Sequence, residues 1–179
     1  MKTELKKTYS LKKIEIKNIC FLKDVYWKFG IKKQLTWFKK NVQKNDLHFF
    51  IYIEKKLAGY TLLRKKSFFY KNLNKNDLPK KSSQYYLFDT HIIKKEFRKN
   101  SIKNLLMKKI LQKVKQDKKI SFLMCSNKYV KYYKKSNWFL LKKENFEILN
   151  MDSKKNGMVY NHDNRIFNKS MIKFCFAVN

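Results

Sequence analysis

Glycine, proline and cysteine are scarce in this sequence, whose 179 residues include 3 Gly, 1 Pro and 3 Cys. Cys20, Cys125 and Cys175 are odd in number and far apart, and no CxxC pair occurs. The three histidines are equally dispersed. Such spacing argues against a disulfide framework and against a metal site. The pattern is typical of a reduced, cytoplasmic protein.

Long hydrophobic runs are also missing. No apolar stretch approaches the roughly 20 residues that a membrane-spanning helix needs, and no apolar segment of a secretory signal follows the basic start of the chain. Hydrophobic residues nevertheless make up 44% of the sequence, which is too many for a disordered chain. We therefore predict one folded domain over residues 1–179, with no membrane span.

Acidic residues are few: 13 Asp and Glu face 44 Lys and Arg, for a formal net charge of +31. Only Arg64, Arg98 and Arg165 are arginines, although dedicated nucleic-acid readers favour the bidentate arginine fork. The lysines are spread along the whole chain, and the abundance of Lys, Asn, Ile, Phe and Tyr matches AT-rich codons. This argues against nucleic acid as the main partner, while leaving a basic nucleic-acid-binding protein as the second hypothesis. Acidic ligands should be attracted in either case.

The order of apolar segments predicts a mixed α/β fold. A strand is expected near Thr8–Ile16, followed by two helices whose apolar faces begin at Phe21 and Ile31. The first face comprises Phe21, Leu22, Val25 and Phe29, with Gly30 as a helix C-cap. The runs 47–53 and 57–63 predict a hairpin with a tight lysine turn. Residues 71–83 are polar and predict a loop, and residues 139–178 predict closing strands.

The most informative stretch runs from Tyr86 to Cys125. An apolar strand ending at Ile93 leads through a basic turn to a helix with one apolar face, and a second apolar strand follows at 120–125. This is a βαβ unit whose turn lies at a helix N-terminus. Unpaired backbone N–H groups and the helix dipole favour an anion there, so we expect a phosphorylated ligand.

The order of elements and this turn resemble the GNAT superfamily of acyl-CoA-dependent N-acetyltransferases. Its signature, Q/R-x-x-G-x-G/A, corresponds here to Arg98-Lys99-Asn100-Ser101-Ile102-Lys103, which keeps the first position and loses both glycines. The resemblance implies a central mixed sheet of about six or seven strands, about four flanking helices, and a V-shaped splay that admits acyl-CoA. It also implies acetyl-CoA as co-substrate, bound by this turn and by Ile92 and Ile93 at the strand end.

A second resemblance lies near residue 133. The family often ends its last short helix with Y-x-K/R-x-G-F, and Tyr133-Lys134-Lys135-Ser136-Asn137-Trp138 keeps the tyrosine, the base and the closing aromatic. Asn137 replaces glycine at a position that requires a left-handed backbone, which asparagine tolerates. By resemblance, Tyr133 is the candidate general acid; packing of one helical face with Tyr129 and Val130 is the alternative. Asn127 approximates the asparagine that opens this helix in the family.

Acyl transfer also needs a base that removes a proton from the attacking amine. Asp89 and His91 are the ionisable candidates on the strand before the turn, and strand alternation predicts that both share a face with Ile93. A buried Asp–His pair with a structural role is the alternative, and His48 and Glu54 are weaker candidates. The sequence does not assign the base.

The sequence indicates only the chemical class of the acceptor substrate. Trp27, Trp37, Tyr60 and Arg64 would line a flat aromatic and cationic pocket for a sugar or nucleotide, or would be ordinary core residues. We predict a small-molecule amine acceptor, anionic in character, such as a nucleotide-activated amino sugar. A catalytically silent GNAT-like scaffold is the third hypothesis, and a homodimer stays open.

Overall fold

The computed structural model describes residues 1–72, 80–98, 101–151, 153–162 and 172–178. Over these ranges the chain forms nine β-strands of one mixed sheet and four α-helices. Contacts divide the chain into two compact units, Met1–Arg64 with Phe88–Ile110, and Lys65–Leu87 with Leu111–Asn179. The prediction of a single domain stays a prediction.

The first unit contains β1 (Lys2–Lys7), β2 (Leu47–Ile53), the start of β3 (Lys56–Asn72) and the end of β4 (Lys80–Ile93). β1 is antiparallel to β2, from Lys2 opposite Tyr52 to Lys7 opposite Leu47. β2 and β3 form a hairpin. Its two turn residues, Glu54 and Lys55, both have positive φ, which is the two-residue turn that matches strand twist.

Three helices contribute to this unit: α1 (Lys13–Trp27), α2 (Ile31–Asn41) and the first part of α3 (Ile102–Gln116). α1 begins where the Lys12 N–H donates to a carboxylate oxygen of Glu15 at 2.9 Å. It ends at Lys28, whose φ of 45° is left-handed.

The core of the first unit lies between α1, α2 and the strands. Its buried members are Ile19, Cys20, Leu22, Phe38, Phe50, Leu57, Tyr60, Leu62 and Ile92. Alternate residues of β3, Tyr60 and Leu62, point to this layer, so Arg64 continues the same face.

The second unit contains the remaining parts of β3 and β4 together with β5 (Ser121–Cys125), β6 (Phe139–Leu140), β7 (Phe146–Ile148), β8 (Asn156–Tyr160) and β9 (Ile172–Phe176). β4 pairs in parallel with β5 through Tyr86 and Leu87. β8 pairs antiparallel with both β5 and β6. β9 pairs with β3 on one side and with β7 on the other. α4 (Asn127–Lys134) follows β5.

Aromatic rings fill the core of the second unit. Phe122 and Phe176 stack with ring centres 3.9 Å apart, and Tyr85 meets both rings edge-on. The other buried members are Leu87, Leu141, Phe146, Ile148, Val159, Phe174 and Val178. Aromatic pairs of this kind add to the stabilisation that burial alone provides.

Left-handed backbone is common and seldom uses glycine. Of the described residues, seven other than glycine have positive φ: Lys28, Glu54, Lys55, Lys118, Asn137, Asn150 and Asn161. Three of them are asparagines, which accept this conformation more readily than most residues.

The predicted fold class is confirmed: a mixed sheet flanked by four helices, with more strands than expected. The strand expected at Thr8–Ile16 is wrong, since Thr8–Ser10 is a short 3-10 turn and α1 begins at Lys13. The first strand is the charged segment Lys2–Lys7 instead. Its lysines and glutamate form ion pairs on the face that also reaches Glu15 of α1, and a hydropathy pattern does not register such a strand.

The predicted face of the first helix is also wrong. Phe21 and Val25 are 54% and 67% exposed, whereas Ile19, Cys20, Leu22 and Lys23 are buried. Gly30 does not cap α1 but directly precedes α2 with a φ of 84°. The second helix, the strand 47–53 and the helix from Ile102 lie where they were predicted.

Candidate active site

The end of β4 packs closely on β3 in the first unit. Ile92 and Ile93 are buried, and the Lys94 N–H donates to the Ala58 carbonyl at 2.9 Å. A Cβ atom placed on Gly59 would lie 2.6 Å from Ile93 Cδ1, so a larger residue here would displace the end of the Ile93 side chain. The hydrogen bond from Lys94 and this close contact hold the last peptide groups of β4 against β3.

The carbonyl oxygen of Ile93 accepts two hydrogen bonds. The Tyr26 hydroxyl donates to it at 2.8 Å and the Arg98 Nε–H at 3.3 Å. The Arg98 guanidinium also lies 5.0 Å from the centre of the Tyr26 ring. Arg98 is the one residue of this turn that matches the family signature. It therefore connects the turn after β4 to the end of the strand and to α1.

The N-terminus of α3 faces no acidic side chain of its own. The carbonyl of Ser101 accepts the N–H groups of Asn104 and Leu105, both at 3.0 Å, which makes Ser101 the residue that opens the helix. Ile102 is buried, Ser101 and Lys103 are exposed, and the first turn contains no Asp or Glu. Lys99 and Asn100 lie outside the described residues. A helix start of this kind favours an anion.

A second polar group lies between α1, α2, β3 and β4 in the same unit. We name it the Arg64 cluster and define it as Lys23, Gln34, Trp37, Arg64 and Asp89. Arg64 Nη1 donates to Asp89 Oδ2 at 2.9 Å. Lys23 Nζ lies 3.3 Å from the centre of the Trp37 ring, and the Arg64 guanidinium carbon lies 5.6 Å from it.

Lys23 is a cation with little access to water. Its exposed fraction is 6%, and burial lowers the pKa of its ammonium to about 8, while the Asp89 carboxylate opposes that shift and Arg64 adds to it. The face of α1 that carries this lysine is the buried one. In a chain with so many lysines, nothing in the sequence distinguishes Lys23 from the others.

Asp89 and His91 do not form a pair. Asp89 is bound to Arg64, whereas His91 Nδ1 is 2.8 Å from Thr61 Oγ1. Thr61 and Arg64 are three residues apart in β3, so their side chains leave opposite faces of the strand. The predicted common face for Asp89 and His91 is therefore wrong: β4 departs from regular alternation at this point.

Neither histidine of the first unit is suited to serve as a strong base. Burial lowers the pKa of His91 to about 4, far from the value near the working pH that favours general-base catalysis. His48 is fully buried. Its two ring nitrogens are each 2.8 Å from an oxygen, Nε2 from Thr8 Oγ1 and Nδ1 from Tyr60 Oη. Burial lowers the pKa of His48 to about 3.

Tyr60 belongs to this buried chain and not to a pocket lining. It is fully buried, and burial raises the pKa of its hydroxyl well above 10. Of the four residues expected to line an acceptor pocket, Trp37 and Arg64 do lie together, and Lys23 is within 5.8 Å of the Trp27 ring centre. Glu54 lies exposed in the hairpin turn.

In the second unit, α4 carries Tyr133. Its ring is 5.9 Å from the Trp138 ring in an edge-on arrangement. Burial raises the pKa of the Tyr133 phenol, and Tyr132, Cys125 and Tyr129 add to the effect. The phenol therefore keeps its proton at neutral pH. Asn137 has a φ of 60°, so the left-handed helix end predicted at this residue is confirmed.

Asn127 opens α4, and its side-chain oxygen accepts a hydrogen bond from Asn156 Nδ2 at 2.6 Å. This contact fixes the start of α4 to β8. The amide oxygen is thereby engaged within the protein, and its role toward a cofactor stays a prediction.

Within the described ranges, no three His, Cys, Asp or Glu side chains lie close enough together to hold a metal ion. Cys20, Cys125 and Cys175 are all buried, and none of the three forms a disulfide. No helix in the described part of the chain is long and apolar enough to cross a bilayer.

Comparison with known proteins identifies the fold. No protein-family model matches the sequence, and no curated protein matches it either. Solved structures do match. An acyl-CoA N-acyltransferase from Pseudomonas aeruginosa is similar with a TM-score of 0.61 and 10% identity, over 88% of this chain and 96% of that chain.

Two further structures extend this likeness. The Bacillus subtilis N-acetyltransferase YlbP, solved in complex with coenzyme A, has a TM-score of 0.52 and 13% identity over 89% of this chain and 96% of its own. Tetrahymena GCN5 has a TM-score of 0.59 and 14% identity over 90% and 97%. The chain thus has the fold of acyl-CoA-dependent transferases. Within that class the fold is the GNAT fold, as the resemblance in element order and turn sequence implied.

Proposed function

We propose that this protein transfers an acetyl group from acetyl-CoA to a primary amine of a small anionic acceptor, such as a nucleotide-activated amino sugar. The observation that carries the proposal is the end of β4 in a GNAT fold. The Ile93 carbonyl is held by Tyr26 and Arg98, and the chain then enters a helix whose first turn has no acidic residue.

The acetyl-CoA pyrophosphate would bind across the start of α3. The sequence predicts this role for Arg98, Lys99, Asn100, Ser101, Ile102 and Lys103, of which Lys99 and Asn100 lie outside the described residues. Backbone N–H groups of a helix start and adjacent cations suit a pyrophosphate. Ser101 supplies the small side chain that a close backbone approach requires, and the exposed Lys103 adds positive charge.

The reaction needs two contributions from the protein, stabilisation of an oxyanion and protonation of the leaving thiolate. A neutral amine attacks the thioester carbonyl, and a backbone N–H at Ile92 or Ile93 would stabilise the oxyanion that develops on the carbonyl oxygen. Collapse of the tetrahedral intermediate breaks the C–S bond, and Tyr133 would donate its phenolic proton to the departing thiolate. The excess proton of the amine then leaves to solvent, and the Tyr133 phenolate takes up a proton from solvent to restore the phenol.

We propose solvent, and not a side chain, as the acceptor of that proton. Asp89 is occupied by Arg64, and the lowered pKa values of His48 and His91 make both rings weak bases. The pH profile of turnover should therefore follow the pKa of the acceptor amine and should differ between acceptors. A profile with one fixed pKa near 7 for every acceptor would contradict this assignment.

The test is a titration with acetyl-CoA, followed by a screen of amine acceptors in which released thiol is measured. Saturable acetyl-CoA binding with acetylation of at least one anionic amine is the expected result. Binding without turnover on any amine would favour the silent scaffold. The absence of acetyl-CoA binding would overturn the proposal. Cytoplasmic location and a homodimer stay predictions from the sequence.

A further inference from the structure

The Arg64 cluster contains buried hydrogen-bond donors that have no partner. Arg64 and Gln34 are each 3% exposed. Arg64 Nε and Nη2 and Gln34 Nε2 make no hydrogen bond to any residue that the structure describes. A buried donor left unpaired destabilises the folded state, and a charged donor does so more strongly. Groups of this kind are rare in folded proteins and call for a physical explanation.

The two open nitrogens of Arg64 lie on one edge of its guanidinium. Nη1 is held by Asp89 at 2.9 Å, which fixes the plane of the group. On the remaining edge, Nε–H and one N–H of Nη2 point in parallel. That edge is the fork that binds carboxylate or phosphate oxygens in a bidentate manner.

The charges of the cluster point the same way. Lys23 and Arg64 supply two cations, and Asp89 supplies the single carboxylate of the cluster. Lys23 makes a close contact with the face of Trp37, which stabilises an ammonium only in part. One positive charge is thus left over in a place with little water, where an uncompensated charge is costly.

Gln34 joins this group through its helix. It precedes Trp37 by three residues on α2, and residues three apart lie on the same helical face. The unpartnered amide of Gln34 therefore lies on the same face of α2 as Trp37, the ring that both cations contact. Apart from the Asp89 carboxylate and the amide oxygen of Gln34, the polar groups of the cluster are donors and cations.

We propose that the Arg64 cluster binds an oxyanion group, a carboxylate or a phosphate, carried by the acceptor. The identification of the ligand with the acceptor rests on the proposed function; the binding of an oxyanion does not. Asp89 lies four residues before Ile93 on β4, which is roughly 13 Å along an extended strand. The amine and the oxyanion of the acceptor would be separated by no more than about this distance.

The binding experiment needs no turnover. Inorganic phosphate and acetate are titrated separately, at constant ionic strength, while the fluorescence of Trp37 is followed by difference from Trp37→Phe. We expect saturable binding of at least one of the two ions. Arg64→Lys keeps a cation beside Asp89 but removes the fork, so it should weaken that binding by roughly tenfold or more.

Two variants separate a built site from general attraction to a basic surface. Gln34→Leu removes an unpaired donor, so it should leave the folded state as stable or more stable while weakening oxyanion binding. Lys33→Met, at an exposed position of the same helix, should change neither. Equal binding by the parent, Arg64→Lys and Gln34→Leu would overturn the proposal, because such binding would belong to the general surface charge.

The kinetic experiment distinguishes the two proposals. Glucosamine 6-phosphate is compared with glucosamine, and 4-aminobutyrate with butylamine, as acceptors. A lower KM for one charged member, raised by Arg64→Lys without an equal fall in kcat, is the expected result. Acetylation with no preference for charge would overturn this inference and leave the proposed function standing. Fork-dependent oxyanion binding without any acetylation would do the reverse.

Discussion

Gly59 and Ile93 are in such close contact that there is no room for a methyl group between them. A Cβ atom on Gly59 would lie 2.6 Å from Ile93 Cδ1 and 3.4 Å from the Ile92 carbonyl oxygen. Ile92 and Ile93 are the residues whose backbone N–H groups we expect to face the acetyl group. A change on β3 should therefore be felt at the end of β4.

Gly59→Ala should lower the free energy of unfolding by about 1–3 kcal/mol, since overpacking a tight core forces side chains out of their rotamers. Urea denaturation measures this loss. Ile93→Val removes the clashing Cδ1 atom, so the double variant should recover much of the stability that the alanine alone removes. Strictly additive losses in the two single variants would show that Ile93 is not the residue obstructing the methyl group.

Ser101→Asp should separate helix stability from cofactor binding. Aspartate at the start of α3 suits the helix dipole, so thermal stability should not fall. Acetyl-CoA binding should weaken, because the new carboxylate repels the pyrophosphate. Ser101→Gly, which restores the residue of the family signature, should bind at least as well as the parent. Isothermal titration measures both, and undiminished binding by Ser101→Asp would place the pyrophosphate elsewhere.

Tyr133→Phe should lower kcat by roughly a hundredfold or more, the typical contribution of a general acid. Acetyl-CoA affinity should hardly change, because proton donation acts in the transition state. Tyr129→Phe is the matched control, since Tyr129 is an exposed tyrosine of the same helix. If Tyr133→Phe turned over like this control, the phenol would only pack against Trp138.

His48 should make the fold sensitive to acid. Its folded pKa of about 3 lies below the ordinary value of 6.5, so the unfolded chain binds the extra proton first as pH falls. Stability is therefore complete above about pH 6.5 and is lost progressively toward pH 3, by roughly 4 kcal/mol from this group.

Urea denaturation between pH 7 and pH 4.5 measures that slope. His48→Gln cannot titrate and still offers polar atoms to Thr8 and Tyr60. Its stability should start lower at pH 7 and fall less steeply with acid. An unchanged slope would assign the acid sensitivity to other groups, His91 first among them.

The net charge of +31 predicts weak, non-specific binding to duplex DNA. Affinity should fall steeply between about 50 and 200 mM salt, as counterion release requires, with no sequence preference. Fluorescence anisotropy with random and defined duplexes measures both properties. Tight, sequence-selective binding at physiological salt would support the nucleic-acid hypothesis instead.

Sequence patterns located the elements that are almost entirely apolar or have one clear apolar face. β2 begins and ends where it was predicted because every residue of Leu47–Ile53 except His48 is apolar or aromatic. The prediction of the buried face of α1 failed because this helix has two partly apolar faces, and the face that is buried includes Lys23. Its environment is made by Trp37 on another helix, and no local pattern contains such a contact.

Some parts of the candidate site were likewise predictable from local sequence, and others were not. The turn after β4 was predictable because strand, basic turn and helix follow one another in the chain. The partners of Asp89 and His91 were not, because they depend on how β4 departs from regular alternation beside β3. The open edge of Arg64 depends on Asp89 holding the opposite nitrogen, which only the three-dimensional arrangement reveals.

The residues with left-handed backbone connect the low glycine content of the chain to the stability of the fold. Left-handed backbone costs an L-residue other than glycine about 1–2 kcal/mol, and asparagine less. Among the described residues, four such positions are held by lysine or glutamate. Their combined cost is comparable to the few kcal/mol by which many domains remain folded. Glycine at these four positions would avoid that conformational cost.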